Sequence, residues 1–82
     1  SISIMPSPMN SNATLSFTAV NSASYTLKVT DITGQVISVK QIQANPGVNT
    51  SVIDRGNLSS GIYFLSLTDG VSTVTRKFTV AD

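Results

Sequence analysis

Apolar and polar residues alternate along most of this chain with a period of two, which sends successive side chains to opposite faces of an extended strand. Residues 1–5 carry Ile2 and Ile4 on one face, and Pro6 and Pro8 end the run because they have no amide proton for a ladder. Residues 13–20 place Leu15, Phe17 and Ala19 against Thr14, Ser16 and Thr18, and 23–30 place Tyr25, Leu27 and Val29 against Thr26, Lys28 and Thr30. In 35–42, Ile37 and Val39 keep register, with Lys40 outward. Residues 48–53 read as a more exposed strand with only Val48, Val52 and Ile53 apolar, and 62–67 and 71–80 close the series around Asp69-Gly70. That dipeptide predicts a two-residue type I′ hairpin, because such a turn needs positive φ at both positions.

Turn chemistry separates the runs. Asp31-Ile32-Thr33-Gly34 offers a carboxylate for its own following amides and a glycine for positive φ. Asn45-Pro46-Gly47 breaks the next pair, and residues 55–61 form a loop closed by Gly61. Seven strand candidates, turn signals about every ten residues and no helical stripe predict an all-β fold, an immunoglobulin-like antiparallel β-sandwich of about seven strands. The Cys-Trp-Cys hallmark of true immunoglobulin domains is missing, so only the architecture is implied, and an open barrel is the alternative.

At 82 residues the chain makes a single domain, 1–82, burying roughly 60% of its unfolded surface. Starting at Ser1 without Met, it reads as a piece of a longer protein. With no Cys and no His, its stability rests on a packed core and backbone pairing. The same absences remove the commonest general base, the commonest metal ligand and thiolate chemistry. There is no Glu, and Asp31, Asp54, Asp69 and Asp82 stand at turns and strand ends with no calcium-loop spacing. No catalytic, cofactor or metal site is expected. A net charge of +1 supplies no basic face for nucleic acid, and no apolar run reaches the roughly 20 residues of a membrane span. Charged residues are only 11% of the chain, so Ser, Thr, Asn and Gln cover the surface, a composition common in extracellular β-domains. Asn12-Ala13-Thr14, Asn49-Thr50-Ser51 and Asn57-Leu58-Ser59 fit the glycosylation pattern, but chance matches abound in such a composition.

Read as individuals, Gly61-Ile62-Tyr63 is a strand start followed by a core tyrosine whose hydroxyl reaches a partner near the rim, and Asp31 and Asp54 are turn and loop-capping residues. Arg76 and Lys77 point to opposite faces of a strand. They serve either as edge protection or, for Lys77, as a contact with a partner. Short hinges at Pro6 and Pro8 give strand 1–5 a route to exchange between copies, hence a strand-swapped homodimer at high concentration.

Taken in order, these motifs resemble the type A C-terminal sorting domain of proteins exported by the type IX secretion system of Bacteroidetes, over nearly the whole chain. Pro6-Ser7-Pro8 matches the opening Pro-Asn-Pro element except for Ser7. Asp31 and Gly34 match its Asp-x-x-Gly, Ile53-Asp54 an apolar-Asp pair, and Leu58-Ser59-Ser60-Gly61-Ile62-Tyr63 a Leu-x-x-Gly-apolar-Tyr element. Lys77-Phe78-Thr79-Val80 matches the final basic residue and alternating apolar positions. Arg55 stands where an apolar residue is usual, so the loop after Asp54 is expected to pack less deeply.

The resemblance implies a non-catalytic label. An N-terminal cargo domain would be carried through the type IX translocon, a sortase-like peptidase would cut near or ahead of Ser1, and the cargo would travel through the periplasm to the cell surface or medium. Asp31, Gly34, Asp54, Leu58, Gly61, Tyr63, Lys77 and Val80 would be recognised or would maintain the fold. The alternative is an accessory binding or spacer β-sandwich of a secreted enzyme or adhesin. Without Trp, and with Tyr25 and Tyr63 both in core register, the chain offers no aromatic platform for glycans.

Overall fold

The computed structural model describes residues 2–82, and it is all β. The strands are β1 (Ile2–Met5), β2 (Asn12–Ala19), β3 (Ala23–Asp31), β4 (Val36–Ala44), β5 (Gly47–Asp54), β6 (Gly61–Thr68) and β7 (Thr73–Val80). They form a three-stranded sheet, β1-β2-β5, and a four-stranded sheet, β4-β3-β6-β7. Every pairing is antiparallel. The fourth strand thus pairs with β3 and not with β5, where a constant-type immunoglobulin domain would place it.

The alternation read from the sequence builds the core. Leu15, Phe17 and Ala19 of β2 meet Leu27 and Val29 of β3, Tyr63, Leu65 and Leu67 of β6, and Phe78 and Val80 of β7. Phe17 and half-buried Tyr25 bring β2 and β3 together, with ring centroids 5.2 Å apart at 58°. Among the described residues no buried side-chain nitrogen or oxygen lacks a hydrogen-bond partner.

Two expectations are corrected. The β6–β7 link is not a two-residue type I′ turn. It runs over residues 69–72, with positive φ only at Gly70. Asp69 Oδ1 accepts from the Val71 amide at 2.9 Å and the Ser72 amide at 2.8 Å, which satisfies the backbone of a longer loop. The second correction concerns β4. Lys40 does not face outward: it pairs with buried Leu27 on the inner face and donates to Ser51 Oγ of the opposite sheet at 3.3 Å. A β-bulge at Ile37, between the Ser38–Val29 and Val36–Thr30 pairs, upsets the alternation read there. Ile42 and Ala44 are the residues that turn inward, and Ile37 and Val39 stay exposed.

The loop after Asp54 stays near the surface, with Gly56, Asn57, Ser59 and Ser60 exposed, while the Arg55 side chain that opens it is half-buried at 18% exposed. The Arg55 amide donates to the Ser11 carbonyl and its carbonyl accepts from the Leu58 amide, so the 55–58 turn folds back onto the start of β2.

Candidate functional site

Register gathers nearly all the motif residues at one end of the sandwich. Asp31 pairs with Tyr63, Gly61 with Val80, and Asn12 with Asp54. The 31–34 turn, the 55–60 loop, the Pro6–Pro8 segment and the last residues therefore share one pole. Lys77 stands apart on β7, paired with Phe64 on the outer face.

At this pole the end of the chain is bonded to the segment before β2. Met9, though outside any strand, is 1% exposed and bridges Val80 in parallel. Its amide donates to the Thr79 carbonyl at 2.8 Å, and its carbonyl accepts from the Ala81 amide at 2.9 Å. Asn10 Nδ2 adds a bond to the Ala81 carbonyl at 3.3 Å. Arg55 completes the junction: Nε donates to the Leu58 carbonyl and one terminal nitrogen to the Asn10 carbonyl, both at 2.9 Å, while the other reaches Asp82 Oδ1 at 2.5 Å. One guanidinium thus ties together the loop, the N-terminal segment and the C-terminal residue. Neither Met9 nor Arg55 was legible as a site residue. A single buried residue has no periodicity, and an arginine's three partners from remote segments leave no local signature.

The remaining motif residues serve the pole's geometry. Asp31 Oδ1 accepts from Thr33 Oγ1 at 2.6 Å, the Thr33 amide at 2.9 Å and the Gln35 amide at 3.0 Å. The Thr33 hydroxyl foremost, then these amides, hold its carboxyl below the usual carboxylate range. Gly34 completes the turn at φ +90° and donates to the Asp31 carbonyl at 3.0 Å. Gly61 opens β6 at φ +155°. The Tyr63 ring stacks on Phe78, with centroids 5.8 Å apart, and its hydroxyl donates to the Ser59 carbonyl at 2.8 Å, the rim partner expected of it. Leu58 packs against the core from the loop. The Asn12 amide, with its nitrogen toward Asp54, donates to Asp54 Oδ1 at 2.9 Å.

Beside the pole, a groove of about 540 Å³ opens between edge strands β4 and β5, lined by Leu27, Val29, Ile53, Leu58, Lys40 and Val52 among others. Among the described residues no group of three His, Cys, Asp or Glu side chains is placed to hold a metal. Among the described residues no helix is long and apolar enough to cross a membrane.

The whole-chain order of motifs now finds its match. The family model for the secretion system C-terminal sorting domain matches residues 3–81, and the chain belongs to that family. No curated protein matches the chain. Membership makes the domain a type IX C-terminal sorting signal that acts with the type IX machinery and directs export to the cell surface or extracellular space. The family is one of non-catalytic sorting signals. Ser1, near which cleavage was expected, lies outside the described residues.

Proposed function

We propose that this domain is read in its folded form by the type IX translocon, carries an N-terminal cargo from the periplasm to the outer-membrane surface, and is then removed by a sortase-like peptidase as the cargo is anchored. The observation that carries this reading is the convergence of Asp31, Gly34, Asp54, Leu58, Gly61, Tyr63 and Val80 at one pole. Residues spread from 31 to 80 in sequence become one surface only when the sandwich is folded. Most of them make turns or pack the core, so their part in recognition is to hold that surface in shape. Lys77, exposed on the outer face of β7 and tied to no turn, is free to touch a partner directly.

The test is the fate of a tagged cargo fused ahead of residues 1–82 in a host with a type IX system. Mass spectrometry of surface cargo should find the domain missing and the new C-terminus modified, and a peptidase-deficient strain should keep the domain attached. Surface cargo that retains the intact domain in both strains would refute removal and anchoring.

A further inference from the structure

The two outer faces of the sandwich differ in chemistry. On the three-stranded sheet the outward rows are Thr18 and Val48, then Ser3, Ser16 and Thr50, then Met5, Thr14 and Val52, with Asn12 and Asp54 at the pole end. Met5, Val48 and Val52 are exposed there too, but the face holds no basic residue. On the four-stranded sheet one outward row runs Lys77, Phe64, Thr30, Val36 and the next runs Thr75, Ser66, Lys28, Val39. Ile62 and Thr79 pair on the pole side of Phe64, while Thr73, Thr68, Thr26 and Gln41 form a polar row on the far side. The apolar members are open to solvent: Val36 is 49%, Val39 58% and Ile62 40% exposed, with Phe64 half-buried among them.

No carboxylate offsets the two lysines on this face. Asp31 is turned into its own loop by Thr33 and Gln35, and Asp69 by Val71 and Ser72. Asp54 lies on the other sheet, and Asp82 belongs to Arg55. Among the described residues the one salt bridge is Arg55–Asp82, so Lys28 and Lys77 keep their charge unpaired.

We propose that this face, centred on Phe64 with Val36, Val39 and Ile62 and flanked by Lys28 and Lys77, docks a protein surface that presents an apolar ridge bordered by carboxylates. Exposed apolar side chains bordered by polar residues are the anatomy of a protein interface, and unpaired charges beside them set orientation and encounter rate with a complementary partner. Binding to an anionic membrane calls for clustered cations, and two lysines held apart by β6 do not form a cluster. The proposal rests on the sorting reading above, in which the partner belongs to the export machinery.

The test fuses the domain to a signal-peptide-bearing fluorescent reporter in a type IX host. The double variant Lys28→Glu/Lys77→Glu should lower export on the order of tenfold, since like charges at a rim repel. The control Thr14→Glu/Thr50→Glu on the other sheet should export as wild type. Both purified domains should keep the wild-type melting curve, which separates docking from folding. Full export of the lysine variant, or equal loss in both variants, would overturn the proposal. So would lysine-dependent co-sedimentation of the wild-type domain with phosphatidylglycerol vesicles, which would make the partner a membrane. A wild-type fusion that stays periplasmic would overturn the sorting reading and this proposal with it.

Discussion

Replacing Arg55 with Met keeps the bulk of the side chain and removes every polar bond it makes. Two of those bonds run to backbone carbonyls, Leu58 and Asn10, both at 2.9 Å, from a side chain only 18% exposed. Hydrogen bonds from a charged donor contribute about 1.5–3 kcal/mol each, and here the lower half applies because the Asn10 carbonyl can recover water, so the pair amounts to roughly 3–4.5 kcal/mol. The ion pair is a different matter. The Asp82 side chain is 77% exposed, so the pair contributes about 0–1 kcal/mol and weakens with salt. Arg55→Met should therefore lower Tm by roughly 12–36 °C, at about 4–8 °C per kcal/mol for a domain of this size. Asp82→Asn should cost less than about 1 kcal/mol. Urea unfolding followed by circular dichroism at low and high salt measures both. A loss for Arg55→Met below about 0.5 kcal/mol, or one matched by Asp82→Asn, would refute the view of Arg55 as a staple on backbone carbonyls.

Other perturbations separate the parts of the fold. Tyr63→Phe keeps the stack on Phe78 and loses the bond to Ser59, for a cost of about 0.5–1.5 kcal/mol, while Tyr63→Ala should cost about 3–5 kcal/mol in the same unfolding assay. Asp31, bonded first by the Thr33 hydroxyl, and Asp69, bonded by the Ser72 and Val71 amides, both have depressed carboxyl pKa values in the fold. Their contribution is present above the ordinary value of 3.8 and is lost as pH falls below it through the lower folded values. A melting series down to acid pH should show that loss, and Asp31→Asn with Asp69→Asn should flatten it. An unchanged acid slope would contradict the assignment. Lys40→Ile removes an inward-pointing charge from edge strand β4, so light scattering should show self-association at concentrations where the wild type is monomeric. A variant that stays monomeric would mean that Lys40 does not guard the edge.

The strands were legible wherever one face is buried. In β2 and β3 the inner positions are apolar and the outer ones largely hydroxyl-bearing, and the period of two then fixes both the element and its face. In β4 the pattern misleads, because Val36, Ile37 and Val39 are apolar yet exposed and the bulge at Ile37 shifts the alternation. The β6–β7 link lengthened for a local reason: Asp69 can satisfy two further amides without itself adopting positive φ. At the pole each motif residue could be named from the chain, but their convergence depends on strand register. Met9 and Arg55 acquire their roles only from tertiary contacts with residues 79–82 and 10–11. The charged face around Phe64 likewise depends on which residues of β3, β6 and β7 lie side by side.

The most direct measurement joins residues 1–82 to the C-terminus of a signal-peptide-bearing fluorescent reporter and follows it in a Bacteroidetes host and in a strain lacking the type IX translocon. A sorting domain predicts fluorescence at the surface or in the medium of the first strain and periplasmic retention in the second. Reporter held in the periplasm of both strains, with the domain folded, would contradict it.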